Sequence, residues 1–200
     1  MNPCERMLQV YAHYARHGRS LATAALAGAD AFKVWTHHPL NDALDHQHGT
    51  RFYYHAHEAE DPVFAGEHGH FHVFAPLDNP QSRAFVHLAG ISLDPKGTAL
   101  GLFTTNGWVT GEGLAPLRRI ERALSRFQLQ LQGRMAPVAR WIEALVHWQR
   151  PAIAELLRER DRRLRQHPQG LQAAWQDTQR HVTSRLALPN FWPSLIKEST

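Results

Sequence analysis

The sequence predicts an α+β fold, with an antiparallel sheet of about four or more strands over residues 51–105, an N-terminal helical lead and a C-terminal set of helices packed on it. Three observations carry that expectation. Apolar residues recur at helical spacing over residues 4–28, and the same period returns from Pro116 onward. Between them, four short alternating or apolar runs follow one another with connections too short for helical crossovers. A length of 200 residues suits one domain, divided into a helical lead (1–30), a loop (36–50), a histidine-bearing sheet (51–113) and a helical part (114–187).

In chain order, Met7, Leu8, Tyr11, Ala12 and Ala15 form the first helical stripe, Gly18 interrupts it, and Ser20 can cap a second helical stretch through Ala27. Residues 36–50 are polar and turn-rich, and read as a loop over the domain. Strands are expected at Arg51–His57, His68–Ala75, Ala84–Leu93 and Ala99–Thr105, with Asp94-Pro95-Lys96-Gly97 as a tight turn between the last two. Leu117, Ile120, Leu124 and Phe127 then form one helical stripe, and Val138, Trp141, Ile142, Leu145 and Trp148 a second. Pro151 suits the start of a third helix with Ile153, Leu156, Leu157 and Leu164 on its buried face, and a last helix is expected near Leu171–Leu186.

The composition excludes several classes of protein. Cys4 is the only cysteine, so neither an intramolecular disulfide nor a cysteine-ligated zinc or iron–sulfur site can form. No stretch approaches the roughly 20 apolar residues of a membrane span, and the opening residues lack a signal-peptide pattern, which makes a cytoplasmic protein the default expectation. The net charge of +4 is carried almost entirely by arginine. Arg158, Arg160, Arg162, Arg163 and Arg165 spread around a helix that also holds Glu155, Glu159 and Asp161, which reads as a solvated, ion-paired face and argues against nucleic acid as the partner.

Histidine is the unusual count. Ten of the 15 fall within residues 37–87 and are interleaved with aromatic residues. On a strand, residues two apart share a face, so His55 and His57 project together beside Tyr53, and His68, His70 and His72 project together from the next strand. Opposed antiparallel positions bring Cβ atoms to about 4.5–5.5 Å, close enough for imidazoles to share one ion. His55, His57, His70 and His72 are therefore the expected metal ligands, with His87 and the nearby Glu67 as acid/base candidates. His37, His38, His46 and His48 are assigned to the loop.

The segment from Leu102 to Gly113 concentrates hydroxyls, an amide, a tryptophan and a carboxylate at a strand-to-helix transition. Thr105, Asn106 and Trp108, with Tyr53, are the expected substrate-binding residues, and Glu112 is a third acid/base candidate. Asn106-Gly107 also suits an ordinary tight turn.

The runs Phe52-Tyr53-Tyr54-His55-Ala56-His57, Glu67-His68-Gly69-His70-Phe71-His72, His87 to Asp94 and Leu102 to Glu112 resemble a bacterial family known as a domain of unknown function. The resemblance covers about residues 20–190 and implies a pattern that also includes His38-Pro39, Asp42 and Asp45, but no activity. His55-x-His57-x-x-Glu60 is similar to half of a cupin metal motif, without a second half and with too few strands for a jelly roll.

Together these features predict a metal-dependent enzyme, oxygenase- or hydrolase-like, acting on a small molecule and using iron, zinc, copper or manganese. The alternatives are a non-catalytic haem or transition-metal binding protein, and a metal-free pair of histidines working as acid and base.

Overall fold

In the computed structural model, which describes residues 1–29, 33–56 and 62–199, the α+β expectation is met by one six-stranded sheet flanked by helices. The lead forms α1 (Pro3–Arg16) and α2 (Leu21–Ala25), and the Asn2 and Ser20 side chains cap them in reciprocal capping boxes with Glu5 and Thr23. The strands are β1 (His38–Leu44), β2 (Arg51–His55), β3 (Gly69–Pro76), β4 (Phe85–Leu93), β5 (Ala99–Thr105) and β6 (Val182–Ala187). They pair in that order, all antiparallel, so the sheet is a meander. The helices that follow β5 are α3 (Gly107–Thr110), α4 (Leu117–Ser125), α5 (Ala136–Trp148), α6 (Arg150–Arg165), α7 (Leu171–Trp175) and α8 (Phe191–Ser199). Among the described residues, no helix is long and apolar enough to cross a membrane.

Two sequence expectations are corrected. Residues 36–50 do not form only a loop: His38–Leu44 is an edge strand whose register slips between His38 and Ala43, and that slip breaks the alternation by which strands are recognised. The last helix does not run to Leu186. It ends at Trp175, a turn closes through Arg180 N–H to Asp177 O, and Val182–Ala187 joins β5 as a strand. The β-branched pair Val182 and Thr183 favours that choice, and Thr183 and Ser184 place their hydroxyls 2.8 and 2.6 Å from Thr104 Oγ1.

Alternation gives the sheet two distinct faces. Phe52, Tyr54, Phe71, Val73, Ala89, Ile91, Leu93 and Leu102 belong to the main core with Trp141, Ile142 and Leu145 of α5 and Leu156 and Leu157 of α6. The Phe71 and Trp141 rings lie 6.2 Å apart between centroids. Burying each of these large side chains contributes roughly 1.5–3 kcal/mol, so the helical layer fixes which face of every strand is left for chemistry. That other face carries Tyr53, His55, His70, His72, Phe74, Gly90, Ser92 and Phe103.

Gly90 is required on this face because the Phe103 ring lies across it: a Cβ at Gly90 would come within 2.2 Å of Phe103 Cζ. Phe103 is itself buried, so it cannot swing into solvent. Gly90→Ala is therefore expected to destabilise the fold by about 1–3 kcal/mol, seen as a lower urea midpoint with an unchanged slope.

Candidate metal centre

The site begins with register. β2 and β3 pair so that Tyr53 opposes His72 and His55 opposes His70, which places three imidazoles on two adjacent rows of one face. All three are buried. His55 Nε2 lies 2.8 Å from His70 Nε2 and 3.2 Å from His72 Nε2. Nitrogens about 2.0–2.1 Å from one ion are about 2.9 Å apart at a right angle and about 3.4 Å apart at the tetrahedral angle, so the observed spacing fits a shared cation. This buried triad can hold a metal ion.

The groups behind the triad set its protonation. Glu67 folds back from the residues preceding β3 and accepts a short hydrogen bond from His70 Nδ1, while its other oxygen accepts from the Val63 and Phe64 amides at 2.7 and 3.2 Å. Burial pushes the Glu67 carboxyl up, but the bonds from His70 and the two amides outweigh it and hold the group below its ordinary value. An ionised carboxylate only accepts, so His70 carries its proton on Nδ1 and presents a lone pair at Nε2. His72 Nδ1 lies 3.0 Å from His87 Nε2, and His87 Nδ1 lies 3.2 Å from Thr105 Oγ1. That chain ends on a hydroxyl, which can accept, so it can present the His72 Nε2 lone pair in the same way.

His55 Nε2 holds either one proton or one lone pair, and it faces two nitrogens at once. A lone pair there would oppose that of His70, and a proton would have to be shared between His70 and His72. A cation satisfies all three together.

His87 reaches this network through a β-bulge. Val73 opposes Ala89 but Phe74 opposes His87, so Leu88 is an extra residue in β4 and His87 turns to the site face in its place. Burial first, then the Arg160 guanidinium and His70, lowers His87 to about 3, so it is a neutral relay. Glu112 lies beside it and accepts a short hydrogen bond from the His87 backbone N–H. Burial pushes the Glu112 carboxyl up to about 7 against the opposing pull of Arg160 and the hydrogen bonds from His87 and Thr110.

The other expected residues divide clearly. Tyr53 sits among the triad histidines, its ring centroid 5.5 Å from that of His55 and 5.0 Å from that of His72. Thr105 belongs to the relay behind His72. Asn106 is fully buried and committed to backbone: its amide donates to Ala174 O at 2.7 Å and Asp177 O at 3.2 Å, and its oxygen accepts from Gly107 N–H. Trp108 Nε1 donates to Asp177 O at 2.9 Å and to Arg180 O at 3.2 Å. These two residues fasten α3 to the 174–180 segment, and neither has a described contact with the triad. His57 lies outside the described residues, as do Glu58, Glu60 and Asp61.

His68 does not share the face of His70 and His72 as alternation had implied. It precedes β3, which begins at Gly69, and its Nδ1 meets the Tyr54 hydroxyl at 2.8 Å on the core side. His37, in the loop just before β1, stacks on Tyr53 with centroids 3.6 Å apart and places its Nδ1 3.1 Å from Asp42 Oδ1. The signal for it lies in β1, whose slipped register hides that residues 37–44 close one side of the site.

Glu67→Gln tests the support from behind the ligands. The amide keeps the shape but loses the charge that fixes the His70 tautomer, so affinity for zinc is expected to fall about 10–100-fold with little change in far-UV circular dichroism. Competition against a chromophoric chelator measures it; an unchanged affinity would remove Glu67 from the site.

No curated protein and no solved structure matches the chain. Its sequence does match a family model over residues 1–188, nearly the whole length and including every residue of the triad and its supports, and so the chain belongs to the family described as Domain of unknown function (DUF6969).

Proposed function

We propose that this protein is a metal-dependent enzyme acting on a small molecule, oxygenase- or hydrolase-like, with a divalent transition metal held by His55, His70 and His72. The observation that carries this reading is the convergence of three Nε2 atoms whose supporting partners, Glu67 behind His70 and His87 behind His72, have covered, hydrogen-bonded side chains. Structural zinc sites are almost always closed by four protein ligands, whereas three neutral imidazoles leave coordination positions for water and substrate, as catalytic sites do. Iron, zinc, copper and manganese all suit this donor set.

In this reading Glu67, His87 and Thr105 are positioning residues that hold the ligand tautomers. Tyr53 and Phe103 form walls beside the ligands, with the Phe103 centroid 5.0 Å from that of His70. The bound ion would supply Lewis acidity or, for iron and copper, oxygen chemistry. Elemental analysis of tag-free protein purified without chelator tests the proposal. About one equivalent of one of these metals per chain is expected; no metal, even after anaerobic reconstitution, would overturn it.

A further inference from the structure

The face that bears the histidines also bears one cation held in a particular way. Arg51 opens β2, opposes Phe74, and stands on the same face as Tyr53 and His55. Its guanidinium carbon lies 4.1 Å from the centroid of Phe85 and 5.1 Å from that of Phe74. The two rings fix the plane of the fork through cation–π contact while leaving its edges free. Among the described residues its nearest carboxylate is Asp42, with Oδ2 3.9 Å from Nε, beyond hydrogen-bond distance, and Nε is buried without a hydrogen-bond partner among them. Asp42 gives its other oxygen to His37. Among the described residues, most arginine ion pairs are much closer, as that of Arg119 with Asp78 is at 2.7 Å.

We infer that Arg51 anchors the carboxylate of the substrate, a small monoanionic organic acid with an aromatic or alkyl body, while the other end of that molecule reaches the metal. This rests on the metal-centre reading above. A planar fork with unused donors matches a carboxylate in two-point contact. With no second cation described beside it and Asp42 close by, the position favours a single negative charge over a phosphate dianion.

Strand rise sets the span. Arg51 and Phe74 form one row, Tyr53 and His72 the next about 7 Å on, and His55 and His70 the third at about 13 Å. Between anchor and ligands the wall is aromatic: the Tyr53 and Phe74 centroids lie 5.6 Å apart, and both side chains are buried. Arg51 retains 32% side-chain exposure, so the charged end of the ligand would remain in contact with water while the body is desolvated.

The test is isothermal titration of zinc-loaded protein with benzoate, phenylacetate and 3-phenylpropanoate, each against its neutral amide, together with metal analysis of every sample. At least one acid is expected to bind at least tenfold more tightly than its amide. Arg51→Met, which keeps a stem against the two phenylalanines, should abolish that preference without changing the metal content, and Arg51→Lys should retain part of it. If no acid binds, if acid and amide bind alike, or if Arg51→Met leaves the preference intact, the anchor is overturned and the metal centre stands. If the protein takes up neither zinc nor iron, copper or manganese, the metal reading falls, and the same acid-to-amide comparison on the metal-free chain still decides the role of Arg51.

Discussion

Replacing His70 by alanine should reduce bound metal from about one equivalent per chain to under about a tenth, the largest effect expected of any single substitution. His70 supplies one of the three convergent nitrogens, and it is the one whose lone pair is fixed by an ionised carboxylate. Its removal leaves two imidazoles and also strips Glu67 of the partner that offsets burial of its charge. Because that second consequence can weaken the fold, the comparison should include His70→Ala with Glu67→Gln, which removes the stranded charge. Loss of metal in both variants, with the thermal midpoint partly restored in the double variant, is the expected result. Retention of a full equivalent in a folded His70→Ala protein would show that the ion is held elsewhere.

The second large effect concerns Glu112 and has a definite sign. An exposed glutamate ionises near 4.5, whereas burial keeps the Glu112 proton on up to about 7. Between those values the native chain binds more protons than the unfolded one, so this group's contribution is complete below about pH 4.5 and is lost as pH rises through about 7. By pH 8 the loss amounts to about 3 kcal/mol. Glu112→Gln should remove the dependence while its carbonyl still accepts from the His87 N–H. The variant is thus expected to melt about 6–12 °C above the parent at pH 8 and to approach it near pH 4.5. Parallel melting curves across that range would exclude a protonated Glu112.

The parts of the fold and site visible in the sequence are those governed by simple periods. The four central strands and the stripes of α4, α5 and α6 follow alternation or helical spacing, and their expected positions hold within a few residues. The grouping of His55 with His70 and His72 follows from the same alternation together with an antiparallel register. What escaped detection depends on departures from a period. His87 is an acid/base candidate from the sequence alone, but the bulge that brings it to His72, with Leu88 as an extra residue in β4, is announced by no pattern in His87-Leu88-Ala89-Gly90. His68 falls on the wrong side because its strand starts one residue later than its spacing implied. Asn106 and Trp108 have the composition of a ligand-binding turn, but their donors are taken by backbone carbonyls some 70 residues away, in a segment expected to be helical. Arg51 drew no attention because a single arginine becomes meaningful only when Phe74 and Phe85 are seen packed against its guanidinium.

The irregular course of β1 has a consequence for self-association. A sheet edge normally offers a row of amides and carbonyls to which another chain can add, and β1 is one edge of this sheet. Here that template is defective. Pro39 has no amide hydrogen, Asp42 turns the backbone into the left-handed region at φ 48°, and no Cα pairing with β2 is registered between His38 and Ala43. Leu40, 77% exposed, would otherwise make this a sticky strand. The same kink that brings His37 and Asp42 to the histidine face therefore also guards the edge against strand addition and the aggregation that follows from it.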